Sequence, residues 1–289
     1  MSRRRFLKNG VRFGVLALGT KGFYNTTSYN VKKEKVQITI EGLPKGFKGL
    51  KIAFLSDFHS SPIVSEKLLS EAARLASTEK PDMVLLGGDY ISGETKFLSG
   101  SIGGFKEKYL KRLIHSLSIL KAPMGIYAVM GNHDHWSGKK AMKIMTEAME
   151  KELGVSFLRN KHVTLKKGSD ELELIGIDDY WSGGSVAPIF KKLKKDNPRI
   201  LLSHNPDVNE EVEVLKERVE LIISGHTHGG QVRVPFLGAP YLPSKFGSKY
   251  SMGLVRDGKR QTYVSRGIGN LLIPVRLGSP PEVSIITLL

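Results

Sequence analysis

The sequence predicts a layered α/β fold in which two mixed sheets pack face to face. Short apolar runs of strand type alternate with amphipathic helical patterns through the first half of the chain, and that alternation builds α/β layers. From about Leu165 the runs crowd together with less helix between them, which argues for a second sheet rather than one doubly wound sheet. Several runs end in polar clusters, and in such folds the loops at the carboxyl ends of strands converge on one edge where ligands bind.

In chain order, Lys35–Glu41 alternates, with Val36, Ile38 and Ile40 on one face, and reads as a half-buried strand. Ile52–Leu55 and Met83–Leu86 are short, wholly apolar strand runs. Between them Val64–Ser77 places Leu68, Leu69, Ala72, Leu75 and Ala76 at helical spacing, with Ser65 as a candidate N-cap. Phe105–Leu120 and Lys139–Leu153 carry the same helical pattern on either side of a strand at Ile126–Met130. Further strands follow at Leu172–Ile177, Ile200–Leu202, Leu221–Ile223, Thr262–Val264 and Val283–Ile286. No repeat, low-complexity tract or linker divides the chain after residue 33, so residues 34–289 read as one domain.

The chain has no cysteine, which excludes disulfides, thiolate metal sites and a cysteine nucleophile. Its net charge of +16 is unevenly spread. Residues 1–33 carry eight basic and no acidic side chains, leaving 36 basic against 28 acidic in the rest. The excess suits an anionic partner, whether phosphate or an anionic membrane surface, or a lysine-rich solvated surface. Nucleic acid, and with it a nuclease reading, is supported by the charge alone, because no zinc finger or aromatic stacking motif accompanies it. Ser2-Arg3-Arg4-Arg5-Phe6-Leu7-Lys8 matches a twin-arginine export signal. The apolar stretch Phe13–Thr20 behind it is far short of the about 20 residues that span a bilayer. The reading is a basic leader, 1–33, that exports the protein or holds it at a membrane.

Five clusters carry the chemistry: Asp57-Phe58-His59, Gly88-Asp89, Gly131-Asn132-His133-Asp134, Ser203-His204 and Gly225-His226-Thr227-His228. Each follows a strand run. Any one alone is ordinary turn chemistry or a satisfied core histidine. Together they offer carboxylate, imidazole and carboxamide groups, the mixture that holds two divalent metals around a phosphate. Alternate residues of an extended segment point to opposite faces, so His226 and His228 need a bend to reach one pocket.

In this order the motifs Asp-x-His, Gly-Asp, Gly-Asn-His-Asp, His and Gly-His-x-His resemble the calcineurin-like metallophosphoesterases over residues 50–230. Ser203-His204-Asn205-Pro206-Asp207, Gly225-His226-Thr227-His228-Gly229-Gly230-Gln231, Arg266-Gly267-Ile268-Gly269 and the leader resemble a bacterial branch of twin-arginine-led phosphodiesterases. That branch is similar to the UDP-diacylglucosamine pyrophosphatases of lipid A synthesis. Gly88-Asp89-Tyr90-Ile91-Ser92 departs from some members in lacking a second acidic residue. The resemblance implies a four-layer α/β/β/α sandwich. It implies that Asp57, His59 and His228 hold one metal, Asn132, His204 and His226 the other, and that Asp89 bridges. The metals would generate a hydroxide for in-line attack at phosphorus. His133 would stabilise charge or protonate the leaving oxygen, with Asp134 orienting it. Nitrogen and oxygen ligands without sulfur point to Mn²⁺ first, with Fe or Zn²⁺ also compatible.

His115 and His162 read as structural. His135 and Trp136 are candidates for the substrate pocket, and Arg266 for a bidentate phosphate grip or an ion pair. Segment 93–121 mixes Phe97, Leu98, Ile102, Phe105, Tyr109 and Leu110 with Lys96, Lys106, Lys108, Lys111 and Arg112. It reads as a basic, apolar lid or as a helix packed on the sheet. The expected activity is dimetal phosphodiesterase or pyrophosphatase chemistry. A nucleotide-linked lipid substrate would place the protein on the cytoplasmic face of the inner membrane instead of outside it. A metal-bound module that only binds surfaces is disfavoured by the His133-Asp134 pair. Oligomeric state is not legible.

Overall fold

Alternation along the strands decides how the layers stack. The computed structural model describes residues 30–92, 95–97, 100–102, 104–193 and 196–289. The leader reading therefore falls almost wholly outside the described residues, as do residues 93, 94, 98, 99 and 103 of the segment read as a lid. In chain order the first half holds β1 (Lys32–Ile38), β2 (Lys51–Leu55), α1 (Glu66–Thr78), β3 (Met83–Leu86), a hairpin of β4 (Thr95–Phe97) and β5 (Gly100–Ile102), α2 (Glu107–Leu117), β6 (Ile126–Ala128), α3 (Asn132–Trp136) and α4 (Lys139–Leu153). The second half holds β7 (Val155–Phe157), β8 (Lys161–Lys167), β9 (Asp170–Gly176), α5 (Ala187–Phe190), β10 (Arg199–Leu202), α6 (Asn209–Leu215), β11 (Leu221–Ser224), β12 (Gly253–Asp257), β13 (Arg260–Val264) and β14 (Glu282–Leu288).

One six-stranded sheet runs β1-β14-β2-β3-β6-β7, parallel throughout except where β14 meets β2. The other runs β12-β13-β11-β10-β9-β8, parallel in its four central strands and antiparallel at both edges. Odd and even residues separate the faces. Ile52 and Phe54, Met83 and Leu85, and Ile286 and Leu288 point between the sheets, where they meet Leu172, Leu174, Ile200, Leu202, Leu221 and Ile223. Ala53, Leu55, Val84, Leu86 and Ile285 point outward to the apolar faces of α1, α2 and α4. Ile175, Leu201 and Ile222 point the other way onto α5 and α6. Both sheets are thus covered on both faces, which is why their central strands read as continuous apolar runs. The result is the α/β/β/α sandwich.

Ser65 caps α1, its Oγ accepting from Leu68 N at 3.2 Å. Helix α2 buries Tyr109, Leu110, Leu113, Ile114 and Leu117 against the core beside α1. The helical half of the segment 93–121 is accordingly a packed layer and not a lid. An amphipathic helix with a basic outer face gives the same sequence signal whether it packs or floats. His115 is exposed on its outer side, near Glu66 at 3.7 Å, and His162 pairs with Glu173 across β8 and β9. Strand β1 begins at Lys32, inside the boundary read for the leader.

Candidate metal centre

The parallel strands deliver their carboxyl ends to one edge of the sandwich. Asp57 follows β2, Asp89 follows β3, Asn132 opens α3 after β6, His204 follows β10 and His226 follows β11. The backbone there is unusual. Asp57, His59, Asp89, His226 and His228 have φ of 55°, 44°, 55°, 72° and 51°. Left-handed backbone at a non-glycine residue costs on the order of 1–3 kcal/mol and persists only where its surroundings over-determine it. Here they do. Asp57 N donates to Gly88 O at 3.0 Å, His59 N to Asp89 O at 2.9 Å, and Gly269 N to Asp57 O at 2.7 Å. His226 N donates to both carboxylate oxygens of Asp57, at 2.9 and 3.1 Å. The two left-handed histidines supply the bend that His-x-His needs. Close packing also demands two glycines. A Cβ on Gly225 would lie 2.3 Å from Asp57 Oδ2, and one on Gly131 would lie 2.2 Å from Asp89 Oδ1.

The structure brings all seven side chains together, each buried. Nε2 of His59 and His228 are 3.0 Å apart, and His228 Nε2 is 3.5 Å from Asp57 Oδ1. On the other side His204 Nε2 lies 3.1 Å from Asn132 Oδ1 and 3.2 Å from His226 Nδ1. One atom joins the halves: Asp89 Oδ2 is 3.5 Å from His59 Nε2 and 3.3 Å from His204 Nε2. Ligand atoms bound at about 2.1 Å to a common ion stand roughly 3–3.5 Å apart, so the spacing suits metals.

Tautomers point the same way. A carbonyl oxygen only accepts, so His204 Nδ1 donates to Gly87 O at 2.7 Å and turns Nε2 toward Asn132 and Asp89. Those are acceptors, and converging acceptors need a cation between them. His226 Nε2 and His59 Nδ1 are buried without hydrogen-bond partners. Burial lifts the Asp57 carboxyl to about 6 and drops the His59 imidazole to about 3. Burial also holds His226 and His228 well below the usual imidazole range. Burial opposes ionisation of Asp89 too, but His204, His133 and His59 outweigh it and keep that carboxyl well below its ordinary value. Burial likewise opposes charge on His204, yet Asp89 and Asp57 raise it to about 10, so the imidazolium can itself serve as the cation between those acceptors and a metal bound there would take the place of its Nε2 proton. The donor set fits a pair of hard-to-borderline divalent ions.

Around the cluster the remaining candidates take distinct places. The His133 ring stands edge-on to His59 at 4.9 Å between centroids, and its buried Nδ1 has no hydrogen-bond partner. Asp134 does not orient that ring. Its carboxylate accepts from Gly131 N at 2.9 Å, Asp89 N at 2.8 Å and Tyr90 N at 2.9 Å, closing the first turn of α3 onto the Asp89 loop. Burial and the neighbouring charge of Asp89 push the Asp134 carboxyl up to about 7 despite those donors. His135 lines a cavity of about 650 Å³ with Lys139, Lys143, Arg159 and Asp178, and bonds Asp178 at 2.7 Å. Arg266 does not present an open grip: its guanidinium pairs with Glu34 at 2.5 Å and Glu282 at 2.6 Å. The ion-pair alternative is the one the structure contains.

Comparison with known proteins decides the family. The model of the calcineurin-like phosphoesterases matches residues 50–230. The chain belongs to that family. The phosphodiesterase YaeI of Escherichia coli (strain K12) is 35% identical to this phosphoesterase over 238 residues, 82% of each chain. The metallophosphoesterase YkuE of Bacillus subtilis (strain 168) is 31% identical over 303 residues, covering 100% of this chain and 98% of its own. Among solved structures, the NAD nucleotidase of Haemophilus influenzae aligns with a TM-score of 0.47 at 16% identity, over 76% of this chain and 45% of that one.

The phosphoesterase site also sets Trp136, already a pocket candidate, opposite two residues that its sequence did not disclose, Trp181 and Arg276. Trp136 and Trp181, the chain's only tryptophans, are both exposed, and both touch cluster imidazoles. Trp136 lies 4.6 Å from His133 and Trp181 lies 4.4 Å from His226, centroid to centroid. Trp181 follows β9 on the same sheet edge as the cluster, a positional signal that could have marked it. Arg276 could not have been found that way. It is fully buried, and its Nη2 donates to His228 Nδ1 at 3.0 Å.

Proposed function

We propose that this chain is a phosphodiesterase that works with two divalent metal ions. Asp57, His59 and His228 hold one ion, Asn132, His204 and His226 the other, and Asp89 contributes to both. Bound there, the ions supply Lewis acidity toward the phosphate oxygens and acidify a water to a nucleophile near neutral pH. The observation that carries the reading is the left-handed backbone at five of the seven residues, strain stored where acceptor atoms converge. His133 is lowered by burial, which favours the neutral ring and leaves one N–H to steady charge on phosphate or leaving oxygen. Asp134 fixes the loop that carries Asp89 and the start of the helix that carries His133. YaeI, named a phosphodiesterase, supports diester chemistry.

Lys139, Lys143 and Arg159, which line the cavity with His135 beside Glu147 and Asp178, suit the anionic half of a diester or pyrophosphate. Mn²⁺ is the metal we assign first, ahead of Fe and Zn²⁺. The leader 1–33 is read as an export and membrane-contact segment, and the domain as residues 34–289. Among the described residues no helix is long and apolar enough to cross a membrane. A second reading, pyrophosphatase action on a nucleotide-linked lipid such as UDP-diacylglucosamine, is favoured by Trp136 and Trp181, whose exposed rings offer stacking faces beside the cluster.

Purified protein with Mn²⁺ is expected to hydrolyse bis-p-nitrophenyl phosphate. His133→Ala is expected to lower turnover by about 10²–10⁴ while two equivalents of metal stay bound. Absence of turnover with any divalent metal would end the enzymatic reading. UDP-diacylglucosamine assayed beside the generic diester separates the two substrate classes.

A further inference from the structure

Two loops beyond the cluster carry apolar side chains that the fold does not use. Phe236, Leu237, Tyr241 and Ile273 are exposed, Phe236 at 107% and Leu237 at 83%. They do not belong to floppy termini. Val234 N donates to Gly238 O at 2.8 Å and Gly238 N to Val234 O at 2.9 Å, so Phe236 and Leu237 crown a closed turn. Gln231 ties the second loop to the first: Nε2 donates to Leu271 O and Ile273 O at 3.0 and 3.2 Å, and Leu271 N donates to Oε1 at 2.7 Å. Arg233 N donates to Leu277 O at 2.7 Å. Phe236 has φ of 67° and Leu272 has φ of 63°, left-handed backbone at bulky apolar residues. That conformation is a genuine outlier for such side chains, and no hydrophobic burial offsets it at Phe236.

We propose that this edge is a membrane-insertion surface that seats the metal centre against anionic lipid. Charge selects the occupant. Residues 229–250, which hold Phe236, Leu237 and Tyr241, carry Arg233, Lys245 and Lys249 and no acidic residue. Aromatic and branched aliphatic tips on a basic background are the composition that partitions into a headgroup layer. A protein partner would need a broad face of about 800 Å² per side, whereas the apolar groups here crown separate convex turns. The edge is fixed to the cluster through His228. Gln231 lies three residues beyond it, Ser279 Oγ donates to its carbonyl at 2.6 Å, and Arg276 donates to its ring. A bilayer met by this edge therefore stands at a set position relative to the metals, so a phosphodiester borne on lipid is delivered to them. The surface goes beyond the catalytic reading and does not depend on it.

Because the chain is free of cysteine, single labels report position. Phe236→Cys and Ile273→Cys carry an environment-sensitive fluorophore on the full chain, with Lys259→Cys in the exposed turn at the opposite sheet edge as control. Vesicles of phosphatidylglycerol and phosphatidylcholine in equal parts are expected to raise emission about twofold or more at the first two positions and not at the third. Phe236→Ser with Leu237→Ser is expected to lower vesicle binding about tenfold. The same double variant is expected to hydrolyse bis-p-nitrophenyl phosphate as the parent does. No rise at positions 236 and 273, with the chain still held on vesicles by its basic leader, overturns the proposal. An equal rise at position 259 overturns it too. A rise that needs no vesicles and grows with protein concentration assigns the edge to a second copy and overturns it. Insertion without any phosphodiesterase turnover leaves the surface standing and removes only the catalytic reading.

Discussion

Asp89 and Arg276 hold the cluster from opposite sides. Asp89 lends one oxygen to both halves while its other oxygen accepts from His133 N at 2.9 Å. Arg276 approaches from behind, where a guanidinium that can only donate makes His228 Nδ1 the acceptor and turns Nε2 toward Asp57 and His59. Metal-bound histidines ordinarily donate their outer nitrogen to a carboxylate or carbonyl; with Nδ1 accepting, the neutral His228 ring carries its proton on Nε2 and would have to give it up to hold an ion there. Arg276 also donates to Arg266 O at 2.8 Å, Ser279 O at 3.0 Å, Asn270 Oδ1 at 3.2 Å and Gly269 O at 3.1 Å. Arg276→Met fills the volume but leaves these oxygens buried and unpaired. It is expected to destabilise the protein by about 3 kcal/mol, measured as a fall in the urea midpoint. A loss under about 1 kcal/mol contradicts the role. Asp134→Asn keeps the shape but presents one acceptor oxygen to three N–H donors. It is expected to weaken both stability and metal binding, whereas His133→Asn lowers turnover alone; a binding isotherm beside a melting curve separates them. The sequence discloses the cluster because its chemistry sits at strand ends. It does not disclose Arg276, which acts on a residue 48 positions away through a loop with no periodic pattern.

Helix α3 and the loop after β9 are joined by one titratable contact. His135 Nε2 meets Asp178 Oδ1 at 2.7 Å, and Arg159 reaches Asp178 Oδ2 at 2.6 Å. Burial opposes charge on His135, but Asp178 outweighs it and raises the imidazole above its ordinary value. Burial opposes charge on Asp178 as well, but His135 and Arg159 outweigh it and lower the carboxyl. A raised imidazole stabilises the fold fully below its unfolded value and loses that contribution as pH rises through its folded one. A depressed carboxyl does the reverse, losing its contribution as pH falls. The pair therefore contributes most between roughly pH 4 and 6.5 and loses strength on either side, above as His135 deprotonates and below as Asp178 protonates. The melting temperature of the wild type is expected to exceed that of His135→Asn near the middle of that window, with the gap closing above about pH 8. A gap that widens with pH refutes the contact. At this scale buried strands were legible and edge strands were not. Met83–Leu86 is apolar at every position because both faces of its sheet are covered. β1 lies at Lys32–Ile38 rather than Lys35–Glu41 because pairing with β14, Lys32 opposite Glu282, sets its bounds, not its own alternation. β7 is three residues long and β12 is a partly exposed edge strand, so neither offers an apolar run to read.

The two-sheet architecture was legible because the helices thin out where the second sheet begins. What the alternation could not convey is that both sheets aim their strand ends at one point. Asp57, Asp89 and Asn132 come from the first sheet, and His204, His226 and His228 from the second. Metals held by both sets would tie together layers otherwise joined by the apolar packing of Phe54, Leu85, Leu202 and Ile223. Ions that bind the folded chain and not the unfolded one stabilise it by about 2.7 kcal/mol at a hundredfold excess over Kd. For a domain of this size that is a shift of about 5–10 °C in Tm. Mn²⁺ is therefore expected to raise Tm by about that much over protein stripped with chelator, and Asp89→Asn, which weakens both halves at once, to lose most of the shift. His228→Ala removes a ligand from one half and is expected to keep part of it. A Tm that ignores Mn²⁺ in the parent, or responds equally in all three proteins, contradicts a centre that spans the sheets.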